Sequence, residues 1–375
     1  MIRIVFLISA LSRGGAERQL TLLIKGMDRS RFDVTVVTVY DGGALRAEIE
    51  GIEEVRILSL GKEGLFGYPS SLWRMARFMR QVKPQIIHGY MDVANELALL
   101  FGKLIRARVV WGLRASNVDF SQYGRTAAQH FHMAARVSRY PDLIIANSYA
   151  GKQYHAAHGY PANKIVVIPN GFDIERFRPD HAAGRSLRLA WGISDDVVLI
   201  GLVARIDPMK DHPTFLRAAA LLASERDDIR FVCVGGGRES YRDYLVRLAN
   251  ELGLGARLLW AGEQGDMTDV QNALDIATSS TAFGEGFSNA IGEAMACGIP
   301  CVVTDVGDSA LLVNSTGVVV PPCDHEALAA AWRTLLSLPK TDRVQLGHAA
   351  RIRITNEFSV QQLVRRTEDT LLHLV

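Results

Sequence analysis

The stretch AFGEGFSNAIGEAMACGIP, residues 282–300, decides the fold predicted for the second half of the chain. Ser288 is a good helix N-cap, an apolar helical segment follows it, and Gly298 ends that segment. Apolar segments typical of strands lie on either side, at 276–277 and 300–304. A strand, a glycine-rich bend, a helix and another strand form the repeating unit of a parallel α/β sheet.

The same alternation of short apolar segments and helical patterns extends over all 375 residues. Strands are predicted at 4–8, 34–39, 86–87, 109–111, 143–146 and 165–168, and again at 197–203, 230–234, 258–260, 276–277, 300–304 and 317–320. Helices are predicted between them, for example at 18–27, 72–82, 214–223, 241–252 and 325–336. Apolar strands separated by helices are typical of parallel sheets that are covered on both faces. The chain is therefore predicted to be an α/β protein with two doubly wound, Rossmann-like domains facing across a cleft.

The length favours two domains, and the alternation of strands and helices restarts near residue 197. A segment at 170–195 contains Pro, Asn and Gly and then becomes polar, which is typical of a linker. We therefore expect one domain over 1–172 and a second over 173–355. In sheets of this kind, ligands bind beyond the carboxyl ends of the strands.

The net charge of the chain is only +2, but it is divided unevenly. Residues 1–172 contain 22 Lys and Arg against 13 Asp and Glu, a charge of +9, and the remainder carries −7. A basic half suggests a phosphate ligand, a membrane surface or a nucleic acid, although an uneven spread of solvated charge gives the same count. No basic run is longer than two residues and no aromatic-interleaved motif is present, so nucleic acid is not expected.

The cysteines, histidines and apolar segments bear on the compartment and on metals. No cysteine forms a CxxC pair, and all four are predicted to be reduced, buried thiols of a cytoplasmic protein: Cys233, Cys297, Cys301 and Cys323. The opening MIRIVFLISAL is interpreted as a buried strand rather than a signal peptide, and no stretch reaches the ~18 apolar residues of a membrane-spanning helix. Two histidine pairs lack an accompanying Cys or acidic cluster, so no metal site is expected. They are His130 with His132, and His155 with His158.

Three loops that follow predicted strands are candidate anion sites. Gly14 and Gly15 precede a helix whose first amides favour an anion, although a tight turn needs the same glycines. Arg205 and Lys210 follow a buried strand and either suit a diphosphate or form a solvated pair. The glycines at 235–237 fit either a nucleotide loop or a plain turn. The GxGxxG spacing of a dinucleotide site is absent.

The opening stretch contains two glutamates eight residues apart, Glu285 in the glycine bend and Glu293 in the helix. A carboxylate just before a helix can accept hydrogen bonds from sugar hydroxyls while the helix amides meet a phosphate. Glu293 would reach a second pair of hydroxyls, such as those of a ribose. The alternative is that Glu285 only complements the helix dipole and that Glu293 is a solvated helix residue.

Together these motifs resemble the retaining nucleotide-sugar glycosyltransferases of family 4, which have the GT-B fold. The resemblance covers essentially the whole chain. It includes GGAE at 14–17, IPNGFDIERFRP at 168–179, Arg205 with Lys210, and the Glu-x7-Glu element at 285–293. It implies that residues 356–375 form a last helix that crosses back onto the first domain.

The resemblance also implies roles for individual residues. Arg205 and Lys210 would hold the diphosphate of a UDP- or GDP-sugar donor. Glu285 would contact the donor sugar and Glu293 the ribose. Backbone amides lining the sugar and phosphate would come from Phe287, Ser288 and Asn289, with Gly14 and Gly15 of the first domain. Catalysis would depend on Glu285, Arg205 and Lys210 without a metal or another cofactor, because cations and helix amides stabilise the departing diphosphate.

The first domain departs from the family pattern. Many members have a histidine after the strand that reads VVWGLRASN here, and this chain has Arg114 near that place. His88 follows a different predicted strand, so Arg114 and His88 are further candidates without an assigned role. The acceptor is expected to be a glycan or a lipid-linked molecule. Arginines that share a face of segment 68–83 suit a peripheral contact with the inner face of a membrane, or belong to an ordinary amphipathic helix.

The predicted function is thus sugar transfer in cell-surface polysaccharide biosynthesis. One alternative is a nucleotide-sugar epimerase or an NAD-dependent oxidoreductase, and the missing GxGxxG argues against the latter. Another is a non-catalytic protein that binds sugar nucleotides. The presence of both cations and both glutamates in one chain argues against that alternative.

Overall fold

The computed structural model describes residues 1–12, 14–61, 68–119 and 124–375 of the chain. The chain forms two compact units, each with its own sheet. Unit 1 comprises Met1–Ser116, Tyr123–Gly171 and Val360–Val375. Unit 2 comprises Asn117–Gln122 and Phe172–Ser359. The two sheets and the helices around them confirm the predicted α/β fold class.

Unit 1 contains a seven-stranded sheet. Its strands are β1 (Ile2–Ile8), β2 (Phe32–Thr38), β3 (Arg56–Ser59), β4 (Ile86–Tyr90), β5 (Arg108–Leu113), β6 (Leu143–Ala146) and β7 (Ile165–Val167). Its helices are α1 (Gly15–Gly26), α2 (Arg46–Glu50), α3 (Tyr68–Val82), α4 (Asp92–Ile105), α5 (Arg125–Val137), α6 (Tyr149–Ala157) and α15 (Val360–Leu372). The strand order is β3-β2-β1-β4-β5-β6-β7, with parallel pairings, and the order reverses between β1 and β4.

Unit 2 contains a six-stranded sheet of the same type. Its strands are β8 (Val198–Val203), β9 (Ile229–Val234), β10 (Leu258–Gly262), β11 (Ile276–Ser279), β12 (Cys301–Thr304) and β13 (Gly317–Val320). Its helices are α7 (His181–Ala190), α8 (His212–Ala223), α9 (Glu239–Glu251), α10 (Met267–Ala273), α11 (Asn289–Ala296), α12 (Ser309–Val313), α13 (His325–Ser337) and α14 (Lys340–Glu357). The order is β10-β9-β8-β11-β12-β13, again parallel, and it reverses between β8 and β11.

Both faces of the central strands of each sheet are buried, as the apolar pattern predicts. In β8, Ile200 and Leu202 pack into one hydrophobic cluster with Trp332 of α13, while Leu199 packs into another with Phe287. Successive side chains of a strand point to opposite faces, so a strand without polar alternation needs a helix layer on each side. The helices supply those layers.

All twelve predicted strands are present, and β3 is a further strand that the apolar pattern does not predict. This strand lies at the edge of the sheet beside β2, and its side chains are exposed or only half-buried, so it lacks the continuous apolar pattern of the others. The prediction that all cysteines are buried is wrong for Cys323, which is exposed in the turn between β13 and α13. Among the described residues, no helix is long and apolar enough to span a membrane.

Candidate functional site

The predicted cation and carboxylate loops of unit 2 follow two adjacent strands. Arg205 and Lys210 come after β8, and Glu285 comes after β11, which pairs with β8 in parallel. The chain continues from β8 to β9 and from β11 to β12, and these two strands lie toward opposite edges of the sheet. Such a switch point leaves a crevice at the carboxyl ends of the strands, where ligands of doubly wound sheets bind.

At this switch point, the side chains of Lys210 and Glu285 form an ion pair between Nζ and Oε2. The two side chains are 18% and 14% exposed, respectively, so water screens their charges only partly. The family resemblance implies that Lys210 binds a diphosphate and that Glu285 contacts a sugar. The structure places the two groups in direct contact.

Hydrogen bonds within and between two loops position Lys210. Asp207 begins the 3-10 turn that ends at Lys210, and its carboxylate accepts the Met209 N–H at 3.0 Å. The hydroxyl of Ser280 donates to the Lys210 carbonyl oxygen at 2.8 Å and so ties the loop after β8 to the loop after β11. His212, two residues after Lys210, is buried. Burial together with the charge of Lys210 lowers the pKa of His212 to about 4.

Glycines shape the backbone around Glu285. Gly284 has φ +79°, and a Cβ there would lie 2.6 Å from Met209 Sδ. Gly307, in the loop after β12, has φ +63°, and a Cβ there would lie 2.3 Å from the Glu285 carbonyl oxygen. The Asp308 N–H donates to the Gly286 carbonyl oxygen at 2.9 Å. The loop after β12 therefore supports the bend that presents Glu285.

Helix α11 begins as the sequence analysis predicted. Ser288 is its N-cap and accepts the Ile291 N–H at 3.5 Å. The Phe287 side chain is buried and packs against Phe358, with ring centroids 5.2 Å apart, so only its backbone is available to a ligand. Glu293 is 6% exposed, which contradicts the alternative that it is a solvated helix residue.

Arg205 differs from Lys210 in its surroundings. Its side chain is 65% exposed, and its Nη2 lies 3.3 Å from Asp207 Oδ2.

The glycines at 235–237 belong to the loop after β9. The backbone of residues 204–206, in the loop after β8, passes close to this loop. A Cβ on Gly235 or on Gly237 would lie 2.1 or 2.2 Å from a backbone carbonyl oxygen of this neighbouring segment. Close packing of these two loops accounts for Gly235 and Gly237, whereas a Cβ on Gly236 would lie 2.3 Å from Glu263 Oε1.

In unit 1, Gly14 is the N-cap of α1 and Gly15 is its first residue. A Cβ on Gly14 would lie 2.1 Å from the Glu17 carboxylate, which accepts the Ser12 hydroxyl at 2.8 Å. The glycine therefore makes room for Glu17 beside the helix start. Gly14 and Gly15 belong to unit 1, whereas the other predicted donor-binding residues belong to unit 2.

Arg114 and His88 lie together in unit 1. The prediction that His88 follows its strand is wrong, because β4 continues to Tyr90 and His88 is 1% exposed inside it. Neither ring nitrogen of His88 has a hydrogen-bond partner among the described residues, and burial, with the nearby Arg114, lowers its pKa to about 3. The Arg114 guanidinium lies 4.7 Å from the Tyr90 ring centroid and donates to Asn170 Oδ1 at 3.2 Å.

The histidines considered for a metal have other contacts. His130 Nε2 lies 2.8 Å from Glu96 Oε1. His155 and His158 each place Nδ1 within 2.8 Å of a carbonyl oxygen one helical turn earlier. In the part of the chain that the structure describes, no group of three or more His, Cys, Asp or Glu is arranged to hold a metal.

Three residues of the site were missed in the sequence analysis. Ser280 joins the two loops, Asp207 caps the turn and pairs with Arg205, and Gly307 supports Glu285. A run of hydroxyl residues at the end of a strand, as in ATSSTAF, and a glycine after the next strand, as in TDVGD, are the signals that could have indicated Ser280 and Gly307.

Two family models match the chain. Residues 197–338 match the model described as Glycosyl transferases group 1, and residues 13–176 match the model described as Glycosyltransferase Family 4. The chain belongs to the family 4 type of GT-B glycosyltransferases. The first matched segment contains the Lys210–Glu285 pair of this glycosyltransferase, and the second contains Gly14 and Arg114.

Comparisons with individual proteins agree with this assignment. The glycosyltransferase is 26% identical to EpsF of Bacillus subtilis over 315 residues, which are 81% of this chain and 79% of EpsF. It is 32% identical over 208 residues to the D-inositol 3-phosphate glycosyltransferase of Rhodococcus jostii, covering 53% of this chain and 45% of that relative. This chain therefore spans less than half the length of that relative. Anabaena Alr3699/HepE in complex with UDP-glucose has the same fold, with a TM-score of 0.87 and 22% identity over 100% of both chains.

Proposed function

We propose that this glycosyltransferase moves a hexose from a UDP- or GDP-sugar to a glycan or lipid-linked acceptor in cell-surface polysaccharide biosynthesis, with retention of anomeric configuration. The contact of Lys210 with Glu285 at the switch point of unit 2 carries the proposal. Beside the start of α11, the cation can bind a phosphate, and the carboxylate can accept hydrogen bonds from sugar hydroxyls at the same place. The complex of HepE with UDP-glucose supports a nucleotide-sugar donor.

In this proposal, Arg205 and Lys210 bind the donor diphosphate, and Glu285 accepts hydrogen bonds from the donor sugar. Glu293 accepts hydrogen bonds from the ribose. The backbone amides of Phe287, Ser288 and Asn289 face the sugar and the phosphate. The contributions of Gly14 and Gly15 remain predictions from the family resemblance, and Arg114 and His88 receive no donor role.

The proposed reaction breaks the bond between the anomeric carbon and the phosphate oxygen. The electron pair leaves with the nucleoside diphosphate, and Lys210, Arg205 and the amides of α11 stabilise the charge that develops there. The acceptor oxygen bonds to the anomeric carbon from the same face, and its proton passes to the departing phosphate. Because side chains and amides supply the positive charge, we expect turnover to persist in EDTA. Loss of turnover in EDTA that Mg²⁺ restores would contradict this mechanism.

The acceptor side of the proposal includes a peripheral membrane contact in the cytoplasm. On α3, Met75 and Met79 are buried in unit 1, whereas Trp73 is 62% exposed with the Arg77 guanidinium 5.6 Å from its ring. A basic, aromatic outer surface suits an anionic bilayer. Sedimentation with anionic vesicles should therefore be stronger for the unaltered protein than for Trp73→Ala, and equal sedimentation would remove this part of the proposal.

A screen of UDP-, GDP- and ADP-sugars tests which sugar nucleotide is the donor. A bound donor raises the melting temperature by mass action, so one UDP- or GDP-sugar should stabilise the protein and be consumed when an acceptor extract is added. Lys210→Met should lose this stabilisation. Stabilisation by NAD instead of a sugar nucleotide, or donor binding without transfer or slow donor hydrolysis, would contradict the proposed function.

A further inference from the structure

Unit 2 contains a cavity that the Lys210–Glu285 pair does not line, with a volume of about 480 Å³. Its wall includes Leu274 and Asp275, just before β11, and Ile299 and Pro300, just before β12. These positions lie at the amino ends of the strands, whereas the ion pair follows their carboxyl ends. A four-residue strand separates the two edges by roughly 10 Å of sheet.

Three arginines of this cavity are fixed by the surrounding structure. Arg188 donates Nη2 to Asp275 Oδ2 at 2.5 Å, so its charge is compensated. Arg351 donates to the backbone carbonyl oxygen of Phe177 at 2.9 Å, and Arg343 also donates to backbone carbonyl oxygens. The carbonyl groups carry no net charge, and neither Arg343 nor Arg351 forms an ion pair within the described residues.

Two more cations line the same cavity. Arg185 on α7 and Lys340 at the start of α14 are exposed, and neither side chain has a hydrogen bond or an ion pair within the described residues. The carboxylates that line the cavity are those of Asp195 and Asp275. Five Arg and Lys side chains against two carboxylates leave a charge of +3 with the histidines neutral.

We infer that this cavity binds a small organic phosphate. Its charge excess and its guanidinium groups suit phosphate oxygens, and residues of the first turns of α7 and α14 also line it. Leu274, Ile299 and Val344 offer an apolar surface to a carbon skeleton. The volume falls within the roughly 300–1,000 Å³ usual for small-molecule sites.

The inference is tested by isothermal titration calorimetry with fructose 1,6-bisphosphate, a compact organic body with two phosphates. The full chain should bind this probe at physiological ionic strength, and the double variant Arg185→Glu, Lys340→Glu should bind at least tenfold more weakly. Because both side chains are exposed and unpaired, charge reversal should leave the melting temperature nearly unchanged. Unphosphorylated fructose should give no heat of binding.

Two matched variants distinguish binding in this cavity from a general effect of charge and from binding at the donor site. The double variant Arg217→Glu, Arg247→Glu makes the same change of charge at exposed positions of α8 and α9 and should bind as the unaltered protein does. Lys210→Met should also leave binding unchanged. The inference is overturned if the unaltered protein does not bind fructose 1,6-bisphosphate, or if the double variant Arg185→Glu, Lys340→Glu binds it equally well. Weaker binding by either matched variant, or binding of unphosphorylated fructose, would also overturn it.

Discussion

Lys210 and Glu285 offer the sharpest single-residue prediction. Lys210→Met or Glu285→Gln removes one member of a mostly buried ion pair, and each also removes a proposed donor contact. We expect each variant to lose more than tenfold in turnover, which corresponds to at least about 1.4 kcal/mol of transition-state stabilisation. Steady-state kinetics with a saturating donor checks this expectation.

The matched control is an exposed pair of unit 2, Arg333 with Glu225, whose closest N–O distance is 2.6 Å. Exposed ion pairs contribute little to stability, so Arg333→Met and Glu225→Gln should leave turnover near normal. Near-normal turnover of both Lys210→Met and Glu285→Gln, with folding intact, would remove the proposed site.

His88 gives a prediction about pH. Its pKa is lowered to about 3 when folded, so between about pH 6.5 and 3 the unfolded chain binds a proton that the folded chain does not. The free energy of unfolding should therefore fall as pH decreases through that range, by up to about 1.4 kcal/mol per pH unit from this group. In His88→Phe, the contribution of His88 to the pH dependence of the free energy of unfolding should disappear. Urea unfolding at several pH values, followed by hydrogen exchange of β4, measures this dependence. An unchanged slope would mean that His88 is protonated in the folded unit.

At the scale of elements, the loop after β12 should control the bend that holds Glu285. Gly307→Ala places a Cβ against the Glu285 carbonyl oxygen at positive φ, so it should cost more stability than the ~1–2 kcal/mol of a left-handed alanine alone and should weaken donor binding. Gly192→Ala is the matched control, because φ is +68° and a Cβ would meet nothing within 4 Å. Chemical denaturation and donor titration measure both effects. Equal effects of the two substitutions would contradict the supporting role of Gly307.

The fold could be predicted because buried parallel strands are apolar on both faces, whereas β3 was missed because an edge strand that is half-exposed lacks this pattern. The sequence also placed Lys210 and Glu285 after strands. It could not show that they touch, because pairing of β8 with β11 brings together loops that are far apart in the chain. The three glycines at 235–237 illustrate the same limit, since their need for close packing depends on a neighbouring loop.

At the scale of the whole molecule, the last helix should govern the stability of the first unit. Leu371 of α15 is fully buried in a cluster with Leu20 and Ile24 of α1. Leu371→Ala should cost about 2–5 kcal/mol and should speed hydrogen exchange in β1 and α1, with little change in unit 2. Leu189→Ala, at a position that is 82% exposed, serves as the control and should change stability by less than about 0.5 kcal/mol. Faster exchange confined to unit 2 in Leu371→Ala would contradict this assignment.

The position of α15 after most of unit 2 in the sequence also affects how the protein is made. A ribosome releases β1 and α1 before the segment Phe172–Ser359, yet the helix that packs on α1 emerges only after that segment has been synthesised. Until then, the apolar side of α1 lacks its native cover, which is a condition that favours aggregation or chaperone binding of a nascent chain. Unit 1, whose sheet is synthesised before the segment Phe172–Ser359, therefore completes its native packing only after that segment has been synthesised.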